Sequence, residues 1–308
     1  MFKSLILKPS SVGLGMSVIL AMTLAGCGGQ ATDSSDAIVI PDTTAVTSPP
    51  PTSAAAPADT PAPTAASPSP SAAPVVAEGW GTLKGQVTFQ GDPPAAKLLI
   101  EKGQAPKDPE VCAKDTPIFS ERLVVDPASK GVKFVLVYLA RPTRVNDEAK
   151  QAISTANLVF DQENCVFDPH VMGMMAGVPV TLKSSDPVNH NVNAKLRQSA
   201  FNQLLAGGQS VSFTPSGPER TPGEVTCDIH PWMKAWWMVL DHPYFAVTDD
   251  QGYFEIKNVP AGTQKVVVWQ EAVDRGFVTA PSGEDVEIKA NDTTVKDFTI
   301  AAAKLRAG

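Results

Sequence analysis

The chain is 308 residues long, with 25 Lys and Arg against 32 Asp and Glu, a formal net charge of −7, and only four Cys and four His. A mildly acidic balance of this kind argues against a nucleic-acid-binding protein, because the phosphate backbone selects basic surfaces. At 43 % hydrophobic residues there is enough apolar material for packed cores, although 28 prolines demand a segment that is not part of any core.

Lys3 and Lys8 flank the start of the chain, and an apolar stretch follows from Val12 to Leu24. This charged-then-apolar layout predicts a secretory signal over residues 1–26, too short for a membrane span. The stretch ends in Leu24-Ala25-Gly26-Cys27, which resembles the bacterial lipobox. That resemblance implies lipidation of Cys27 as the first mature residue, with an ordinary signal peptide cut nearby as the alternative. Gly28 follows the cysteine in place of Asp, which by the same resemblance points to the outer membrane, with the chain facing the periplasm or the cell surface. From residue 28 to 78 the chain turns to Pro, Ala, Ser and Thr with no Lys or Arg. Such a segment cannot bury enough apolar surface to offset its ordering entropy, so residues 27–78 read as a lipidated N-terminus and disordered tether. At about 3.1 Å per residue in polyproline II it would reach on the order of 100 Å.

The remaining residues, 79–308, show an apolar period near two and predict an all-β architecture. Leu83, Val87 and Phe89 alternate with polar neighbours, whereas Val132 to Leu139 is apolar on both faces and reads as a central strand. The one helical candidate is Asp147 to Ala156, with Asn146 as its cap.

The sharpest motif is Cys227-Asp228-Ile229-His230-Pro231-Trp232-Met233. Ligand types at spacings of three and three require a tight loop folded over a metal, since a strand would send Cys227 and His230 to opposite faces. Upstream, Val188-Asn189-His190-Asn191-Val192 offers a second imidazole. Two imidazoles, a thiolate and a thioether are the donors of a blue-copper electron-transfer site, and zinc rarely takes a thioether. These residues, with Phe167-Asp168-Pro169 and Gly177-Val178-Pro179-Val180-Thr181-Leu182 before them, resemble the cupredoxins, and in the short ligand loop amicyanin most closely. The resemblance spans about residues 158–241 and implies one type 1 copper held by His190, Cys227, His230 and the axial Met233. It also implies that the backbone N–H of Asn191 points at the Cys227 sulfur and tunes its potential. Ile229 stands where the amicyanin-type loop has proline, and Asp228 adds a charge beside the ligand. Pro231 and Trp232 would surround the exposed edge of His230 with apolar surface, a docking patch for a redox partner protein.

Cys112 and Cys165 then remain as a pair. In an oxidising exported compartment two such thiols default to a disulfide, with two buried free thiols as the alternative. His170 and His242 read as structural, and Met172, Met174 and Met175 as core filler or a soft Cu(I) cluster.

After the copper loop, Val247 to Ile256, Val259-Pro260-Ala261-Gly262 and Lys265 to Gln270 look like the carboxypeptidase regulatory-like, or transthyretin-like, sandwich. The first strand of such a module resembles Gly81 to Phe89, far upstream. The expected organisation is therefore a cupredoxin Greek-key β-sandwich, residues 155–241, inserted into a second sandwich made from residues 79–154 and 242–308. The alternative lends Gly79 to Ala140 to the cupredoxin. The expected function is one-electron transport rather than catalysis, since four protein ligands leave no open position for substrate. Copper sequestration or delivery, and carbohydrate or envelope-protein binding by the second sandwich, are the competing classes.

Overall fold

The computed structural model describes residues 78–306. The expected signal segment, Cys27 and nearly all of the expected tether lie outside the described residues. Within them the chain is an all-β structure with one α-helix, Asp147–Ser154. That helix starts where Asn146 accepts the Ala149 N–H at 2.9 Å, a side-chain cap worth about 1 kcal/mol.

The strands form two sandwiches. The metal-side sandwich takes all its sheet strands from Leu158–Glu163 through Lys234–Leu240. One sheet runs, in spatial order, Ser210–Phe213, Val180–Lys183, Leu158–Glu163 and Val166–Asp168. The other runs Phe201–Leu205, His190–Ala194, Gly223–Thr226, Lys234–Leu240 and Val171–Met175. Alternation puts Phe160, Leu182, Val192, Val225 and Trp237 between the sheets, all fully buried.

The flanking sandwich is built around Trp80–Gln90, which pairs with Tyr253–Pro260 on one side and, in parallel, with Thr293–Val295 and Phe298–Ala301 on the other. Its buried face alternates Leu83, Gly85, Val87 and Phe89. A Cβ on Gly85 would lie 1.9 Å from the carbonyl oxygen of Lys296, so only glycine lets the chain pass there between its last two strands. The second sheet orders Phe245–Val247, Leu136–Leu139, Gly262–Trp269 and Glu284–Ile288. The chain thus leaves this sandwich after Leu139 and re-enters it at Phe245.

Two expectations fail here. The apolar run Val132 to Leu139 is not one strand: Phe134 adopts φ 61°, and the run divides into Val132–Lys133 and Leu136–Leu139. Nor does all of residues 79–154 stay with the flanking sandwich. The segment Leu98–Phe119 crosses to the metal side, where Ala105, Cys112, Ala113 and Ile118 join the other core. The Cys112–Cys165 disulfide pins it there.

The sandwiches meet in an apolar junction where Tyr138 and Trp269 face Val171, Met238 and Leu240. Gly173 allows the approach, because a Cβ on it would meet the Phe245 ring at 2.4 Å. Trp236 and Trp269 pack with ring centroids 5.2 Å apart, a contact worth about 0.5–1.5 kcal/mol beyond area burial. Beside it Glu271, reaching from the flanking sandwich, accepts from Trp236 Nε1 at 2.8 Å and bonds His170 Nε2. Met172, Met174 and Met175, on the strand Val171–Met175, are all buried.

Candidate metal centre

His190 opens the strand His190–Ala194, and Cys227 directly follows its neighbour Gly223–Thr226. The pairing of Asn193 with Thr226 therefore places both residues at the same end of one sheet. The chain must return within a few residues, because Thr226 pairs with Lys234 across the next turn. The loop closes on itself through Met233 N–H to His230 C=O at 2.9 Å and Cys227 N–H to Met233 C=O at 3.4 Å.

This brings His190, Cys227 and His230 together. Their donor atoms lie within 4.8 Å of one another, with the two Nδ1 atoms 2.9 Å apart and Cys227 Sγ 3.7 Å from His230 Nδ1. Both imidazoles are 0 % exposed and Cys227 2 %. Met233 is buried in the same core, and Asn191 is buried beside the thiol.

The outward ring nitrogens are both occupied by carboxylates. His190 Nε2 donates to Asp186 Oδ2 at 2.8 Å, and His230 Nε2 donates to Asp108 Oδ2 at 2.9 Å. A carboxylate only accepts, so each ring carries its proton on Nε2 and turns an Nδ1 lone pair inward. Two lone pairs facing each other at 2.9 Å in a buried pocket repel unless a cation or a proton lies between them. The donor set of two imidazoles and a sulfur therefore fits a soft or borderline metal ion.

The protonation balance follows the same logic. Burial pushes the Cys227 thiol up, but hydrogen bonds from His190 and His230 and from the backbone N–H groups of Asn191 and His230 outweigh it and bring the thiol down to about 6. Burial disfavours the His190 imidazolium, yet Asp186 and Cys227 raise it to about 9. The pocket thus favours a thiolate, the form that binds metal.

Around the loop, Asp228 is held on the outside of the pocket. Its carboxylate accepts from Asn191 Nδ2 at 2.8 Å and Asn193 Nδ2 at 3.0 Å, and its N–H donates to Asn191 Oδ1 at 2.6 Å. Asn191 therefore does two things, its backbone facing the sulfur and its side chain fixing the ligand loop.

One expected feature is absent: His230 has no exposed edge. The disulfide-pinned segment covers it, and the loop reaches solvent at the exposed Asp228 and Pro231 and at the half-buried Ile229 and Trp232. Trp232 packs edge-on to His230, centroids 5.2 Å apart, and its Nε1 donates to Cys165 C=O at 3.1 Å. Pro231, Trp232 and Trp236 line a cleft of about 1100 Å³ together with Phe119, Glu121 and Glu271. His170 and His242 are far from the loop in role: His170 bonds Glu271 across the junction, and His242 donates to Leu139 C=O at 3.0 Å.

Sequence reasoning did not assign roles to Asp108 and Asp186. Asp186 had a legible signal, four residues before His190. Asp108 lies 122 positions from its imidazole, and only its place four residues before Cys112 hinted at the site.

No family model matches the chain, and no curated protein is similar to it. Among solved structures it is similar to a copper-containing nitrite reductase from Thermus scotoductus SA-01, at 20 % identity and TM-score 0.25, covering 28 % of this chain and 22 % of that one. The chain thus spans about a fifth of that reductase. It is also similar to a purple cupredoxin from Nitrosopumilus maritimus, at 18 % identity and TM-score 0.24, covering 27 % and 100 %. Amicyanin from Paracoccus versutus matches at 17 % identity and TM-score 0.25, covering 34 % and 97 %.

Proposed function

We propose that this protein is an exported copper protein that carries single electrons, with one copper held by His190, Cys227, His230 and Met233. The observation that carries the reading is the convergence of two Nδ1 atoms and one sulfur within 4.8 Å in a pocket closed to water. A copper ion held by these residues would supply one-electron chemistry between Cu(I) and Cu(II) with little rearrangement. The residues supply the rest. Asp186 and Asp108 hold the imidazoles in one orientation, Asn191 and Asp228 fix the loop, and the packed core excludes water, all of which lower the reorganisation that an electron transfer requires.

In this reading the protein is a carrier, not a catalyst, because the donor set leaves no position for substrate. It is anchored by a lipid on Cys27 to the outer membrane through the tether of residues 27–78. The flanking transthyretin-like sandwich, formed by residues before and after the copper domain, braces it. The redox partner meets the loop at Pro231 and Trp232, at the mouth of the cleft rather than over His230. Fast copper hand-off is the competing role, and full burial of both imidazoles speaks for retention over exchange.

The test is optical and magnetic. Full-length protein loaded with Cu(II) is expected to show an intense thiolate-to-copper charge-transfer band and narrow hyperfine splitting, both lost in Cys227→Ser. A colourless Cu(II) protein with ordinary splitting ends the electron-carrier reading.

A further inference from the structure

Asp108 reaches His230 from a segment that belongs to neither sheet of the metal-side sandwich, and the local chain is built to deliver it. Asp108 sits in the left-handed region at φ 48°, a conformation few residues other than glycine, Asn and Asp adopt readily. Its carbonyl accepts from the N–H groups of Val111 at 3.0 Å and Cys112 at 2.8 Å, which curls the chain into a tight turn ending at the disulfide. Across that disulfide, the Cys165 N–H donates to Asp186 Oδ2 at 2.9 Å, the same oxygen that holds His190. The neighbouring Asn164 N–H donates to the other oxygen at 2.7 Å. One covalent link therefore joins the two carboxylates that orient the two imidazoles, and its sulfurs lie within 4.8 Å of a His230 ring nitrogen.

We propose that Asp108 is a positioning residue of the metal centre, held by the disulfide-pinned strap so that His230 presents Nδ1 to the metal and its outer edge is sealed. The inference rests on the copper reading for its redox consequence, though not for the imidazole geometry. A carboxylate on Nε2–H fixes the tautomer and makes the inward lone pair a stronger donor. Its negative charge also favours Cu(II) over Cu(I), since the more highly charged ion gains more from a nearby anion. Asp108 thereby lowers the reduction potential.

Two measurements on the full chain test this. The first compares reduction potentials of copper-loaded wild type, Asp108→Asn and, as a control, Asp115→Asn, which removes the same charge from an exposed position of the same strap. Asp108→Asn is expected to shift the Cu(II):Cu(I) affinity ratio about tenfold towards Cu(I), the low end for losing a partner of a metal-bound histidine. That corresponds to a rise of about 59 mV for one electron. The control is expected to move the potential far less, and equal shifts in the two variants would overturn the proposal. The second measurement needs neither copper nor a variant. Nitrogen NMR of the metal-free wild type should find His230 carrying its proton on Nε2, and a proton on Nδ1 alone would equally overturn it. If wild type binds copper without the charge-transfer band, the electron-carrier reading fails while the NMR result still decides the role of Asp108.

Discussion

Two imidazoles whose lone pairs meet at 2.9 Å, with a sulfur 3.7 Å from one of them, form a pocket that demands positive charge. When the metal is stripped, a proton has to supply it, and the shifts show where. Cys227 falls from an ordinary 9.0 to about 6, and His190 rises from 6.5 to about 9. The stability that the thiolate contributes is thus lost as pH falls through about 6, and that of the imidazolium is lost as pH rises through about 9. Between these limits the stripped protein holds a thiolate–imidazolium pair. Its thiolate ultraviolet absorbance, taken as the difference from Cys227→Ser, is expected to appear as pH rises through about 6 rather than near 9. Metal uptake at neutral pH should then release about one proton, from His190, in a weakly buffered titration with indicator dye. Cys227, His230 and Met233 stood out together at this scale because their spacing within one loop is local, and His190 comes from a separate strand. Asp108 was not, because its contact with His230 is made by folding alone.

At the scale of elements, the strap Leu98–Phe119 changes the character of the site. A loop carrying Pro231 and Trp232 next to His230 suggested an imidazole with an exposed edge. The covering element lies more than a hundred residues earlier, and its pairing with Cys165 spans 53 residues. Closing a loop of that length stabilises the fold by about 4 kcal/mol in the chain-entropy view. Replacing both cysteines by alanine is expected to lower the unfolding free energy, read from urea titration, by up to that amount. The same variant should make His230 reactive towards an imidazole-modifying reagent that leaves wild type untouched. An unchanged reactivity would mean that packing of Ala105 and Ile118 alone keeps the strap closed. Other elements followed their local pattern more simply. Alternation placed Leu83, Val87 and Phe89 inward, and Asn146 capped the helix as its side-chain chemistry favours. The break at Phe134 was hidden, because an apolar run buried on both faces carries no periodicity to mark where the chain turns.

At the scale of the molecule, the two sandwiches are joined by apolar packing around Trp269 and by the buried Glu271, which holds Trp236 and His170 from across the junction. A buried carboxylate with two donors costs more to disturb than a surface pair, since hydrogen bonds to charged groups contribute about 1.5–3 kcal/mol each. Glu271→Gln keeps the shape and removes the charge, and is expected to destabilise the protein by about 1.5–3 kcal/mol while leaving the copper band in place. Should the junction be what couples the sandwiches, urea unfolding of the variant, followed separately by copper absorbance and by tryptophan fluorescence, will give two midpoints where wild type gives one. Coincident midpoints would show that the rest of the interface suffices.

What the amino-acid order by itself determined was the all-β class, the tight loop that groups Cys227, His230 and Met233, and the pair of cysteines left for a disulfide, because each rests on periodicity, close spacing or simple elimination. The tertiary structure alone decided that both imidazoles are gripped by carboxylates, that one edge is sealed by a distant strap, and that the two sandwiches share a buried polar contact. Those features join residues remote in sequence, and no local preference of the chain reports which distant segment will come to lie against a given side chain.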